Sequence, residues 1–210
     1  GSVAVPALNL NANTVTISGW VKPSGSQALG AGLVVCNAGG TYAGLVMDLA
    51  SPGLGLSYQW GSPNNVSFTS DLGLPALVDS QWSYVALVIQ PTQAAIYLCD
   101  YLGNWSSATN GLFLPVNNSP LPFSAATLFG MDGAYANRNF NGNLDEIAIW
   151  NRALGAGELF SQYATAVGGQ KPQVFADLQP PPLPIASGDP IVLTVDAGGT
   201  APLTYIWHST

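Results

Sequence analysis

Carboxylates, thiols and oxygen donors are the residues of this sequence with chemistry to offer. Hydrolysis of a glycosidic bond needs two carboxyl groups, about 5 Å apart for retention and roughly 6.5–9.5 Å apart for inversion. The chain has two glutamates, Glu146 and Glu158. Asp145 and Glu146 are adjacent, and adjacent residues on a strand point to opposite faces, so they do not form that pair. His208 is the sole histidine and no Gly-x-Ser-x-Gly elbow accompanies it, which leaves Ser–His hydrolysis without a site. No glycine-rich phosphate loop precedes a helix. The expectation is that the chain is not an enzyme.

Metal binding has one candidate stretch. Asp132, Asn137, Asn139, Asn141, Asn143 and Asp145 crowd together, with Asp48 and Asp100 as outlying carboxylates. Calcium takes oxygen from Asp, Asn and backbone carbonyls, and Asp132, Asn141 and Asp145 form the candidate set. The alternative is that the asparagines shape turns with left-handed backbone angles, while Asp145 and Glu146 bond to the Asn151–Arg152 corner. No cofactor is required; structural calcium is the one ion to consider. Cys36 and Cys99 are either two buried thiols or a disulfide, and with one distant histidine they make no tetrahedral zinc set.

Sugar recognition needs an aromatic face beside hydrogen-bonding amides. Trp60 precedes Gly61-Ser62-Pro63-Asn64-Asn65, and Trp105 closes Asp100-Tyr101-Leu102-Gly103-Asn104-Trp105. Both read as loop residues, so Trp60, Trp105, Tyr101 and Asn64 are the candidate ligand contacts, with Tyr42 and Tyr58 behind them. A loop tryptophan also serves as a local hydrophobic plug. Trp20, Trp82 and Trp150 lie inside strand patterns and are expected in the core.

These residues are set in a chain of 210 with 48% hydrophobic and 7% charged residues and a formal net charge of −7. Lys22, Lys171, Arg138 and Arg152 are the only cations, too few for the basic patch that nucleic acid or an anionic membrane requires. No apolar run approaches the roughly 20 residues of a membrane helix.

Short alternating runs bounded by Gly, Pro, Asn and Ser predict strands at Val15–Val21, Leu33–Cys36, Gly44–Leu49, Leu54–Trp60, Trp82–Ile89, Ala95–Cys99, Ala126–Gly130 and Leu144–Trp150. One helix is expected over Ala156–Ala164, ending before Gly168-Gly169. The proline-dense stretch 169–184 reads as an extended linker. Beyond it, Pro190–Val195 and Leu203–Trp207 read as two further strands. The expectation is all-β: a two-sheet antiparallel jelly-roll sandwich over residues 1–168 with one short C-terminal helix, a linker over 169–184, and a partial β segment over 185–210.

Phe140-Asn141-Gly142-Asn143-Leu144-Asp145-Glu146-Ile147-Ala148-Ile149-Trp150-Asn151-Arg152-Ala153-Leu154, followed by Glu158-Leu159, resembles the closing strand and helix of bacterial LamG-like, concanavalin A-type jelly rolls. Thr16-Ile17-Ser18-Gly19-Trp20-Val21-Lys22-Pro23 is similar to that family's early tryptophan strand. Gln81–Val88 with Ile96-Tyr97-Leu98 resembles its central hairpin. The Glu-x-Asp-x-x-Glu of the family's hydrolases has no counterpart here, and Val3–Pro6 resembles the family's second element. Gly199-Thr200-Ala201-Pro202-Leu203-Thr204-Tyr205-Ile206-Trp207 resembles a bacterial immunoglobulin-like repeat, with Trp207 as its core tryptophan. That segment is expected to pair with the sandwich as an added strand or with a neighbouring molecule. The resemblance implies a secreted or cell-surface bacterial recognition or adhesion module for polysaccharide or glycoprotein. A structural spacer and a divergent polysaccharide hydrolase are the alternatives.

Overall fold

A computed structural model describes residues 1–49, 53–61, 64–178, 188 and 190–208. The chain divides into two compact units, residues 1–153 and 154–210. The first unit is a β-sandwich. Its strands are β1 Val3–Val5, β2 Val15–Pro23, β3 Gly32–Ala38, β4 Thr41–Met47, β5 Leu56–Trp60, β6 Asn64–Ser67, β7 Ser83–Gln90, β8 Gln93–Cys99, β9 Trp105–Asn110, β10 Thr127–Phe129 and β11 Gly142–Trp150. One sheet has the order β1-β10-β3-β4-β5-β6 and the other β11-β2-β7-β8-β9, with every pairing antiparallel. This is the expected two-sheet jelly roll.

Alternation decides which side chains fill the gap between the sheets. From β2 come Val15, Ile17 and Val21; from β7, Val85, Leu87 and Ile89; from β8, Ala94, Ile96 and Leu98. The opposite sheet contributes Ala43, Leu45 and Met47 from β4 and Leu56, Tyr58 and Trp60 from β5. Phe68, Leu74, Leu77, Leu121, Phe123 and Phe140 close the ends.

Three placements differ from the sequence reading. Trp60 is on strand β5, not in a loop, and its ring is 1% exposed against Phe123, with Nε1 donating to the Ser119 carbonyl at 2.9 Å. Asn64 and Trp105 begin strands β6 and β9. Trp20 and Trp150 are outside the core, on the other face of β2 and β11; Trp20 and Trp82 are half-buried, and Trp150 is 37% exposed. The physical reason is strand parity. Val15, Ile17 and Val21 share one face of β2, so Trp20 takes the other; Leu56, Tyr58 and Trp60 share one face of β5. Strand β11 is an edge strand, not an inner one, and its Asp145/Ala148 bulge places Glu146 at φ 50°.

The second unit holds helix α1, Ala156–Ala166, and a ribbon of β12 Gln173–Ala176 paired with β13 Asp196–Gly198. The Glu158 carboxylate accepts from the Gly155 amide, and the Asp196 carboxylate from the Gly157 amide, so both cap the helix start. Phe160 packs on Phe175 at 5.3 Å. The tail pairs with itself: neither sandwich sheet includes one of its strands. Residues 190–195 and 203–207, expected as strands, are not strands here, and β12 lies inside the stretch read as linker. Most of the linker's proline run, like Ile185, lies outside the described residues. Trp207 is 55% exposed instead of forming a core. An alternating apolar run makes a strand only where a neighbour supplies the ladder.

Trp60 gives a direct check on the core. Replacing it with alanine should cost about 3–5 kcal/mol in urea unfolding; a loss below about 1 kcal/mol would show that the ring does not fill the sandwich.

Candidate functional site

With the inward side chains assigned, the two outer faces follow. They differ in chemistry.

The five-stranded sheet is aromatic outside. The row Asp145, Trp20, Tyr84, Cys99, Trp105 crosses all five strands by register. Trp20 meets Tyr84 edge-on at 5.7 Å, and Trp105 stacks on Tyr84 at 6.4 Å and contacts Tyr97 at 6.0 Å. Trp105 is half-buried in this cluster. Tyr84 is 3% exposed. Burial pushes its phenol up to about 12, the Ser18 hydrogen bond opposes that shift, and the Glu146 charge adds to it. Tyr101 is 47% exposed in the turn after β8.

The outer side of the six-stranded sheet carries small and polar residues, and its middle is covered: Val35, Val46 and Ser57 are 0% exposed and Ser67 2%. Leu128, Val35, Gly44, Gln59 and Asn65 lie in one row, from β10 to β6. Beside that row, Asn37 pairs with Tyr42, and on the other side Val46 pairs with Ser57 and Ser57 with Ser67. Position 44 must be glycine, because a Cβ there would lie 2.0 Å from the Val34 carbonyl oxygen. Gln59 is 6% exposed, and its Oε1 has no hydrogen-bond partner among the described residues.

A loop walls one end of this face. Residues 131–139 fold back beside β3: the Gly32 and Asp132 amides both donate to the Arg138 carbonyl, and Gly133 sits against the Leu128 side chain. A Cβ on Gly32 would collide with the Met131 backbone at 2.2 Å. Inside the loop, Asp132 is wholly buried. Its Oδ1 accepts from the Ala134 and Tyr135 amides, and its Oδ2 binds Arg138 Nη1 at 2.9 Å. The Arg138 guanidinium in turn lies 4.3 Å from the Tyr135 ring centre, and Tyr135 is 53% exposed. A buried carboxylate thus fixes a guanidinium, and the guanidinium holds one face of an exposed aromatic.

The predicted site residues are dispersed by this fold. Trp60 and Asn64 are register partners in the β5–β6 hairpin, while Trp105 and Tyr101 belong to the β8–β9 hairpin of the other sheet. A tryptophan 1% exposed has no face for a sugar, so Trp60 leaves the set. The candidate calcium ligands are similarly separated in their bonding. Asp132 serves Arg138 and its own loop. Asn141 donates from its side chain to the Ser24 carbonyl, and its backbone pairs with Gln27. Asp145 is exposed on β11 and accepts from the Glu146 amide. Asp100 accepts from Leu102 and Asn104 within its own turn. Among the described residues no three His, Cys, Asp or Glu side chains gather as a metal would require. Asn137, Asn139, Asn141 and Asn143 do not adopt left-handed angles; Gly130, Gly133 and Gly142 do that. Cys36 and Cys99 are both buried thiols, one in each sheet.

Tyr135, Arg138, Gln59, Asn37 and Tyr42 were not singled out together by sequence. The Asp132-x-x-Tyr135-x-x-Arg138 spacing was the available signal, since a tight loop brings residues three apart within contact.

The architecture defines the class: an antiparallel lectin-type jelly roll. The chain belongs to the concanavalin A-like lectin/glucanases superfamily, whose model matches residues 1–160. Domain 4 of AbnA, a GH43 extracellular arabinanase from Geobacillus stearothermophilus solved with arabinotriose, is 18% identical with a TM-score of 0.56, covering 75% of this chain and 70% of that one. A heptameric SAP-like pentraxin from Limulus polyphemus is 16% identical with a TM-score of 0.51, covering 75% and 71%. The enzymatically active domain of tailspike protein 2 from bacteriophage CBA120 is 13% identical with a TM-score of 0.54, covering 77% and 25%. At these identities the likeness is one of fold. No curated protein sequence matches the chain.

Two outcomes follow. Asp132→Ala leaves Arg138 without its partner and strips two loop amides of their acceptor, and should lower stability by about 2–4 kcal/mol in urea unfolding. The fold favours the neutral Tyr84 phenol, so the stability it supports is complete below the ordinary tyrosine range near pH 10 and is lost as pH rises toward about 12. Absorbance titration should show late-ionising tyrosine, from Tyr84 together with Tyr58, whose phenol burial also pushes up; Tyr84→Phe should remove part of that late step.

Proposed function

We propose that this protein is a non-catalytic recognition module that binds glycan on the outer face of its six-stranded sheet. One observation carries the reading: Tyr135 presents a half-open ring, held by Arg138 and Asp132, on the loop beside β3, and the same sheet turns the accessible Asn37, Tyr42 and Asn65 outward. A sugar needs that combination, an apolar platform for its C–H face and fixed polar groups for its hydroxyls. Pre-organisation by the ion pair means that little ordering is lost on binding.

A hydrolase reading has less support. The carboxylates at this end of the sheet are Asp132, committed to Arg138, and Asp48, which is 4% exposed and accepts from the Ser57 hydroxyl. Glu146 is on the other sheet. Structural calcium remains a proposal with no assembled ligand set behind it. A secreted or cell-surface setting is in keeping with the extracellular arabinanase whose domain 4 shares the fold and was solved with a sugar. The polymer bound is a polysaccharide or the glycan of a glycoprotein.

Affinity electrophoresis of the whole chain through gels containing polysaccharide tests the reading. Tyr135→Ala should weaken retardation about tenfold or more, a change of roughly 1.4 kcal/mol, with little change in thermal midpoint. Trp105→Ala should leave binding intact. Retardation lost with Trp105→Ala and kept with Tyr135→Ala would move the site to the other sheet.

A further inference from the structure

We infer that the loop over residues 112–114 is a lipid-interface anchor, which lodges three apolar side chains in the surface of a bilayer with the acidic rim of the sandwich turned away from it. This goes beyond the glycan reading and uses none of its residues.

Charge in the first unit is segregated by strand direction. Strands β2, β4, β6 and β8 end, and β7 begins, at one rim. The Leu77 amide, donating to the Leu54 carbonyl, joins the two sheets there. Asp48, Asp71, Asp79 and Asp100 lie within four residues of these strand ends, and Asp132 follows β10 at the same rim. At the opposite rim the sheets are joined by Trp60 Nε1, which donates to the Ser119 carbonyl, and by Asn118 Nδ2, which donates to the Gln90 carbonyl. Its segments, residues 6–14, 38–41, 90–93 and 110–121, contain no Asp, Glu, Lys, Arg or His. Among the described residues of this unit the charge at that end is Arg152, just past β11, with its guanidinium 6.0 Å from the Trp150 ring centre.

One loop stands out from the neutral rim. Leu112, Phe113 and Leu114 are 63%, 95% and 83% exposed. Single exposed hydrophobes are ordinary; three in succession on one tip mark a contact surface. The base beneath them is fixed. The Val116 and Asn118 amides donate to the Thr92 and Pro91 carbonyls. Asn118 is wholly buried, and its side chain donates to the Gln90 and Gln93 carbonyls at 2.8 and 3.1 Å. A Cβ on Gly111 would lie 2.4 Å from the Thr92 carbonyl oxygen, so the stalk runs hard against the β7–β8 turn. The ordering of this loop is thus met by folding and not by binding.

The shape and charge of the tip choose its partner. Three side chains fall far short of the roughly 20–30 residues a side that a specific protein interface engages, so a second copy gains little here. A bilayer surface needs no matching socket, and apolar side chains are favoured at its acyl boundary. No carboxylate at this rim has to leave water. Backbone groups must keep their hydrogen bonds, so the side chains alone enter and the depth is interfacial. Neither a spanning helix nor a basic patch is required. Strand β2 has nine residues and is about 30 Å long. The aspartates of the far rim therefore sit several Debye lengths from the lipid, each about 8 Å at physiological salt. Attraction is apolar and needs no anionic lipid.

Flotation of the whole chain with phosphatidylcholine vesicles tests the anchor. The chain should float at low and at high salt, and added phosphatidylserine should not raise the bound fraction. Phe113→Ser with Leu114→Ser should lower the partition coefficient about tenfold or more, with the thermal midpoint unchanged because both side chains are exposed. Leu114→Ser alone should give a smaller loss in the same direction. Val3→Ser and Ile206→Ser remove other apolar groups, 60% and 74% exposed, and should float as the parent does. A loss in either as large as that of the tip variant would show general adsorption and overturn the site. Binding that needs phosphatidylserine and vanishes at high salt would overturn the apolar mechanism. Failure to float with any vesicle would overturn the inference and leave the glycan reading standing. So would a concentration-dependent dimer in light scattering that the double variant abolishes, since a second copy would then be what covers the tip.

Discussion

Everything in the first unit depends on filling one gap, the space between two sheets, with side chains drawn from alternate positions. A strand cannot place two neighbours on the same side, so each residue committed inward fixes its neighbours outward. Val15, Ile17 and Val21 turn in, and Trp20 is thereby put outside. Leu56, Tyr58 and Trp60 turn in, and Ser57 and Gln59 are thereby put outside. The two outer faces are consequences of the core, one aromatic and one polar, before any loop is considered.

The loop over residues 131–139 adds what the strands cannot. Burying Asp132 completely would be prohibitive without a counter-charge. Arg138 and two backbone amides supply it, and in doing so they lock the loop's shape. The same guanidinium supports Tyr135. A stabilising interaction and a presented surface are therefore one structure, and a change at Asp132 is felt at the ring without touching it.

Much of the fold was legible in the sequence. Alternating runs closed by Ser-Pro-Gly or Asn-Ala-Gly-Gly gave strands close to those observed, and the Leu159, Phe160, Tyr163 stripe marked the helix. The tryptophans were misplaced because their neighbours' composition was weighed above parity. Trp60 stands beside turn residues yet falls in phase with Leu56 and Tyr58; Trp20 stands in a strong strand yet falls out of phase with Val15 and Ile17. The acidic and amide-rich stretch was visible, but its bonding was not. Asp132 pairs with a cation six residues on, a choice made by loop geometry. Gln59 had no local mark at all, since an orphaned acceptor exists only once its surroundings are assembled. In the tail, strong alternation at 190–195 and 203–207 did not suffice, because among the described residues pairing there is limited to β12 and β13.

The central claim is that ligand meets the six-stranded sheet, around Tyr135 and the outward Asn37, Tyr42 and Asn65. Backbone amide chemical-shift mapping with a neutral oligosaccharide tests it most directly. The account predicts perturbations concentrated at residues 37, 42, 65 and 135–138, with Trp20, Trp105 and Trp150 unmoved. Shifts confined to the tryptophans of the five-stranded sheet would contradict it.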